Sequence, residues 1–150
     1  MDFSRITQDL FIGTQPEVED YNILRKLGVR LVINMRLESR PALDPHQDPI
    51  KTIWLRTIDS PLVPIPMSVM MRGVQVALRI IQQGGKVYTH CAHGIHRGPA
   101  IAAAILIAQG YSPEAAMQLI REKRPIADPY AWYIRRRIER FAKIWERNIA

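Results

Sequence analysis

The sequence predicts an α/β domain with a central, mostly parallel sheet flanked by helices. Short β-branched runs, such as residues 30–35 and 86–90, alternate with stretches whose apolar residues recur at helical spacing. Of the 150 residues, 47% are hydrophobic and 23% charged, the balance of a soluble domain able to bury a real core. No internal repeat, low-complexity tract or linker divides the chain, so residues 1–150 are expected to form one domain.

Residues 6–12 read as a short strand or hairpin. Thr14-Gln15-Pro16-Glu17 then has capping-box spacing, with proline in the first turn where its missing N–H costs least. Val18, Tyr21, Leu24 and Leu27 recur at helical spacing, and Gly28 is placed to end that helix. Residues 30–35 form a buried strand. Residues 36–49 hold three prolines and several polar side chains, an unusually long loop of the kind that carries function. Residues 51–58 are a second strand, after which Pro61, Pro64 and Pro66 keep 59–66 out of regular structure. Met70, Val74, Ala77 and Ile81 mark one face of a long helix that Gly84-Gly85 stops, and 86–90 is a third core strand.

Three helices follow. Residues 100–108 are apolar all round, as in a buried helix. Ser112 caps the next helix, with Pro113 just inside it. The last carries Ile134, Ile138, Phe141, Trp145 and Ile149 on one stripe, with Arg135, Arg136, Arg137, Arg140 and Lys143 around it.

The net charge is +7 and arginine greatly outnumbers lysine, which suits phosphate- or carboxylate-bearing partners such as phosphorylated protein, phosphoinositide or nucleic acid. Tyr130, Trp132 and Tyr133 ahead of the arginines fit a nucleic-acid contact. The simpler reading, a solvated basic face over an apolar stripe, is preferred, so nucleic acid is not the favoured partner. A single cysteine excludes an internal disulfide. The first residues lack a signal-type apolar run, and the longest apolar stretch is too short to span a bilayer, so a cytoplasmic location is expected.

The chemistry concentrates in His90-Cys91-Ala92-His93-Gly94-Ile95-His96-Arg97, which follows the third core strand, where open α/β sheets place their ligands. A thiolate is a strong nucleophile when a helix N-terminus and nearby cations lower its pKa, and Cys91 has both within reach. The backbone N–H groups of Ala92, His93, Gly94, Ile95 and His96 can form an anion nest, Gly94 permitting the twist. Arg97 can grip two phosphate oxygens, and Pro99 fits the first turn of the helix behind it. A lone cysteine at a strand end is most often a small buried hydrophobe. Strand, His-Cys, central glycine, arginine and helix together are far more specific. His90, Cys91, His93 and His96 crowd together, but there is no second ligand cluster and Arg97 would repel a cation, so neither metal nor cofactor is expected. His93 and His96 then tune charge or touch substrate, and His90 and Gly98 support the loop.

This His-Cys-x5-Arg arrangement resembles the signature loop of the protein tyrosine phosphatase superfamily, in its small dual-specificity branch. The segments "RITQDLFIGTQP", "LGVRLVINMRLES", "IDSP" and "REKRP" resemble that branch in order and spacing over nearly the whole chain. The resemblance implies a protein tyrosine phosphatase-like fold and a two-step mechanism without metal. Cys91 attacks phosphorus, a phosphocysteine forms, and water hydrolyses it. Phosphotyrosine is the implied substrate, with phosphoserine and phosphothreonine within scope. A general acid is also implied. Asp59 is the choice, since it ends a strand, opens a proline-rich loop and precedes Cys91 by 32 residues, the family's usual interval; a plain turn-forming aspartate is the alternative. Asp44 and Asp48 are weaker candidates.

Two positions depart from the family. Gly98 stands where serine or threonine normally helps the thiolate leave, which implies a long-lived phosphocysteine. His93-Gly94 replaces the commoner Ala-Gly, and "HCAHGIHR" resembles the loop of cysteine-based RNA 5′-triphosphatases. The competing readings are a phosphatase for polyanions such as RNA 5′-triphosphate ends or phosphoinositides, and a phosphate-binding module with feeble turnover. A rhodanese-like sulfurtransferase or arsenate reductase is disfavoured, because arsenate reductases commonly need further cysteines. A chain this short is expected to build a shallow, permissive pocket.

Overall fold

The computed structural model describes residues 1–149, the side chain of Ile149 excepted. Five strands form one sheet: β1 (Phe3–Arg5), β2 (Leu10–Gly13), β3 (Val29–Arg36), β4 (Lys51–Thr57) and β5 (Lys86–His90). Their order is β1-β2-β5-β3-β4, with β1 antiparallel to β2 and every other pairing parallel. The helices are α1 (Tyr21–Lys26), α2 (Met67–Gln82), α3 (Arg97–Ala108), α4 (Pro113–Lys123) and α5 (Trp132–Ile149). The α/β class and the parallel core expected from the sequence are the observed ones.

Strand alternation divides the core into two layers. Leu31, Ile33 and Met35 of β3 face a large cluster built with α2, α3, α4 and α5. Val32 faces the other way, onto Tyr21 and Leu24 of α1, Phe11 and Tyr88. The central strands are consequently apolar on both faces, as parallel strands covered on both sides must be. α3 runs through the middle of the larger layer, and every residue from Arg97 to Ile107 in it is buried. Ile134, Ile138 and Phe141 of α5 reach that layer and Trp145 packs against it, whereas the Ile149 side chain lies outside the described residues.

The first helix begins later than its sequence suggests. The Thr14 hydroxyl accepts the Asp2 amide across the β1–β2 hairpin at 3.1 Å, so it does not cap. Instead the Glu17 amide donates to the Asp20 carboxylate at 2.8 Å, a 3-10 turn spans Val18–Asp20, and α1 starts at Tyr21. That shift leaves Val18 47% exposed rather than on the buried face. The final arginines behave as surface residues: Arg135 pairs with Glu114 and Glu139, Arg137 donates to the Ile65 carbonyl, and Arg136 lies over Trp132. Among the described residues no helix is long and apolar enough to cross a membrane.

Because β3, β4 and β5 are parallel, their carboxyl ends open the same edge of the sheet. The turn after β3 is fixed there by buried Asn34, whose amide donates to the Ser39 carbonyl at 3.0 Å and accepts the Arg36 amide at 2.7 Å. The Leu37 amide adds a bond to the Thr57 carbonyl at the end of β4. Farther along, the long loop is anchored by Asp44, whose side chain is fully buried and accepts from the Ile50 amide, Arg25 and the His46 amide. Burial pushes the Asp44 carboxyl up, but the Ile50 amide, His46 and Arg25 outweigh it and hold the pKa at about 2. These contacts give Asp44 a structural place rather than an acid's.

A folded-state pKa depressed in this way contributes stability above about pH 4 that disappears as the pH falls toward 2. Asp44→Asn is expected to lower the unfolding free energy at pH 7 by about 2 kcal/mol, and by about half as much near pH 3. Urea denaturation at the two pH values measures the difference, and an equal loss at both would contradict the assignment.

Candidate active site

Each part of the site is delivered by the end of a different strand. β5 leads into Cys91, the turn after β3 carries Glu38, and β4 leads into Asp59. Cys91 is 4% exposed and lies just before the N-terminus of α3, which begins at Arg97. Helix N-termini attract anions through their unsatisfied N–H groups and dipole.

The loop between Cys91 and Arg97 is shaped from outside. Arg124, 2% exposed, donates through Nε to the Gly94 carbonyl at 3.0 Å and through Nη2 to the His93 carbonyl at 2.7 Å. Ser4 and Asp2 hold the rest of its guanidinium. The Asp128 amide donates to the Ile95 carbonyl at 2.8 Å. Three successive carbonyls thus point outward. N–H and C=O of a trans peptide point in opposite directions, so the amides of Gly94, Ile95 and His96 point inward. Gly94 has φ +69°, and a Cβ there would lie 2.8 Å from Arg124 Nε. Both the left-handed backbone and the close guanidinium require glycine.

Arg97 is 3% exposed. Its Nη1 donates to the carbonyls of Thr57 at 2.8 Å and Met35 at 3.2 Å and to Glu38 Oε1 at 2.9 Å, while Nη2 donates to Glu38 Oε2 at 2.8 Å. Those bonds occupy the Nη1–Nη2 end of the guanidinium. A guanidinium has five N–H donors, so the adjoining edge keeps the Nε–H and one Nη2–H, and Nε has no partner among the described residues. The open edge is a two-pronged fork of the kind that binds phosphate oxygens. The Arg97 hydrogen bond pulls the Glu38 carboxyl down to about 2, so Glu38 is an anion at any working pH.

Asp59 stands at the mouth. Its Oδ1 accepts from the Tyr133 hydroxyl at 2.7 Å and its Oδ2 lies 3.0 Å from His96 Nδ1. Burial pushes its carboxyl up, but Tyr133 and His96 outweigh that and its pKa is lowered. Asp59, Leu37, Glu38, Ile58 and Arg97 line an open cleft of about 280 Å³. Beneath the loop His90 is 1% exposed, and burial pushes its imidazole down to about 3, so the ring is neutral. His90, Cys91, His93 and His96 do not converge: among the described residues, no group of three or more such side chains is placed to share a metal ion. Asp48 stays in the long loop, where its carbonyl accepts from Arg25.

Glu38, Arg124 and Tyr133 belong to the site without having been expected there from the sequence. Arg124 lies within "REKRP" and Tyr133 among the aromatics before the basic helix, but neither position reveals its partner in sequence. Their partners lie 30 and 74 residues away, and only the folded chain brings them together.

The model of the dual specificity phosphatase catalytic domain matches residues 10–140. Dual specificity protein phosphatase 1 of Arabidopsis thaliana is 29% identical over 133 residues, which is 88% of this chain and 65% of that protein; the chain therefore spans less than two thirds of that relative. Among solved structures, PTPMT1 in complex with PI(5)P superposes with a TM-score of 0.85 at 24% identity, covering 99% of each chain. Human DUSP28 superposes with a TM-score of 0.80 at 19% identity, covering 98% of this chain and 94% of that one. At these identities the superpositions establish the fold.

Gly94→Ala is expected to destabilise the protein more than Gly84→Ala. Both glycines have positive φ, +69° and +87°, but nothing lies within 4 Å of a Cβ at Gly84. Gly84→Ala should cost about 1 kcal/mol of backbone strain, and Gly94→Ala that amount plus the displacement of Arg124. Urea unfolding of the two variants compares them directly, and equal losses would show that Arg124 yields without cost.

Proposed function

The chain belongs to the dual specificity phosphatase family, and from that premise we propose that it is a metal-independent phosphomonoesterase acting through a phosphocysteine on Cys91. One observation carries the reading. Arg97 is clamped on one edge by Glu38 and two carbonyls, and on its other edge Nε is buried without a partner among the described residues. This is a fixed tetrahedral-oxyanion cradle next to a thiol, and its donors need little rearrangement as charge builds on the phosphoryl oxygens.

In the first step Cys91 Sγ bonds to phosphorus as the bond to the leaving oxygen breaks, and the Asp59 carboxyl supplies the proton to that oxygen. In the second, water attacks phosphorus and the thiolate departs. Leu37 and Ile58 give the cleft apolar sides next to Arg97, which suits the ring of phosphotyrosine. The cleft is open enough to admit phosphoserine and phosphothreonine. A lone cysteine used as a thiolate suits the reducing cytoplasm. The polyanion reading draws less support, because Arg135, Arg136 and Arg137 are each engaged with a carboxylate, a ring or a carbonyl.

Gly98 governs the second step. A Cβ there would lie 3.5 Å from His90 Cα and Ile12 Cγ2 and 3.6 Å from the Cys91 amide nitrogen, all ordinary contacts. The site therefore has room for serine beside the Cys91 backbone, and the wild type lacks its hydroxyl.

Hydrolysis of p-nitrophenyl phosphate is the direct test. Wild type is expected to turn over, with Cys91→Ser inactive and Arg97→Lys reduced about 100-fold or more because lysine cannot reproduce the fork. Stopped-flow traces should show a burst of nitrophenol near one equivalent followed by a slow steady state. Gly98→Ser should raise that steady state about tenfold, the value of one hydrogen bond to a charged group. A Cys91→Ser variant as active as wild type would refute the nucleophile; a linear trace with no gain in Gly98→Ser would refute the slow second step.

A further inference from the structure

An open groove of about 620 Å³ runs along the outer edge of the sheet, lined by Trp54, Leu55 and Arg56 of β4 and by Ser68, Val69 and Arg72 of α2. β4 is the last strand in the order β1-β2-β5-β3-β4, so one of its two backbone edges has no strand beside it. Among the described residues the backbone groups of Trp54, Leu55 and Arg56 make no hydrogen bond outside the β3–β4 ladder. Such an edge is a template for one more strand. Its side chains are held in place. The Trp54 indole donates to the Arg36 carbonyl at 2.6 Å, and the Arg56 guanidinium lies over the Trp54 ring, 4.3 Å from its centroid. Arg56 and Arg72 are exposed, and neither pairs with a carboxylate among the described residues. No acidic side chain among the described residues lines the groove, so its charge suits an acidic partner.

The groove also leads to the active site. β4 runs through Thr57 into Ile58 and Asp59, which line the cleft beside Arg97. At about 3.3 Å per residue, Arg56 lies about 7 Å from Ile58 along the strand. A strand laid on β4 therefore passes Arg56 while a residue about two to four positions away reaches the cleft. Resting on the phosphatase reading above, we propose that the outer edge of β4 docks the acidic flank of a phosphorylated polypeptide. The flank adds to the sheet as an extended strand, with Asp or Glu side chains on Arg56 and Arg72 and the phosphorylated residue in the cleft. Main-chain bonds supply affinity that is blind to sequence, and the two guanidinium groups supply the preference for carboxylates. Arg56 and Arg72 thus select substrate without touching phosphorus or the leaving oxygen.

The test uses phosphotyrosine peptides of equal length with acidic, alanine or lysine flanks, and p-nitrophenyl phosphate as the substrate without a flank. kcat/KM should be about tenfold higher for the acidic than for the alanine peptide, with the difference in KM. Arg56→Glu combined with Arg72→Glu should erase that preference and leave p-nitrophenyl phosphate turnover within about twofold. If the charge-reversed protein fails to fold, Arg56→Gln with Arg72→Gln replaces it, and a preference that survives there overturns the proposal. N-methylation of alternate flank amides should cost several-fold by blocking the strand bonds; a methylated flank as good as its parent overturns the strand pairing. Fluorescence anisotropy with Cys91→Ser should show the same order of peptides without turnover. Equal kcat/KM for acidic and alanine flanks overturns the proposal, while turnover of p-nitrophenyl phosphate leaves the phosphatase reading standing; Arg56 then only guards the edge against self-pairing. A 5′-phosphorylated oligonucleotide bound more tightly than the acidic peptide through the same arginines also overturns it and gives the groove to nucleic acid. A wild type inactive on every substrate overturns the phosphatase reading and this proposal with it.

Discussion

The guanidinium of Arg97 is a permanent charge that the fold removes from water, and much of the active edge follows from how that is made tolerable. An unpaired buried charge would cost on the order of several kcal/mol. Glu38 and the carbonyls of Met35 and Thr57 prevent that cost, and they come from the ends of β3 and β4. The β3–β4 register shifts between Asn34 and Arg36, next to those carbonyls, and the Thr57 hydroxyl bonds the Met35 carbonyl at 2.6 Å. The direction in which the open edge of Arg97 points is therefore a property of the sheet.

A second buried arginine works from the opposite side of the same loop. Arg124 takes loop carbonyls as its acceptors, so the peptide units turn their amides toward the interior. The two arginines thus have complementary roles. Arg97 keeps an edge without a partner, and Arg124 shapes a backbone whose amides turn inward. The arrangement also explains the local sequence. Only a residue without a side chain at position 94 allows Arg124 this close. Arg124 in turn needs the hairpin of β1 and β2, since Ser4 and Asp2 satisfy its remaining donors.

Around this polar edge the rest is dry. α3 is buried along almost its whole length, and His90 lies neutral beneath the loop. Low dielectric strengthens every fixed dipole facing the loop. The mouth is different: Asp59, His96 and Tyr133 are partly exposed and bonded to one another.

The sequence by itself determined the fold class, the parallel strands at 30–35, 51–58 and 86–90, the buried third helix and the loop that holds Cys91 and Arg97. These are local matters: periodicity, β-branching, proline and glycine punctuation, and residues six apart on one turn of chain. It misplaced the start of α1, because Thr14 bonds across the hairpin to Asp2, a partner that no local pattern exposes. It placed Asp59 at the end of a strand, whereas β4 stops at Thr57, and it could not show that both carboxylate oxygens would be taken. Glu38, Arg124 and Tyr133 were decided only by tertiary structure. Each is an ordinary surface-type residue in sequence, and each acquires its place because parallel strands bring distant ends to one edge, where buried charges and carbonyls must find partners.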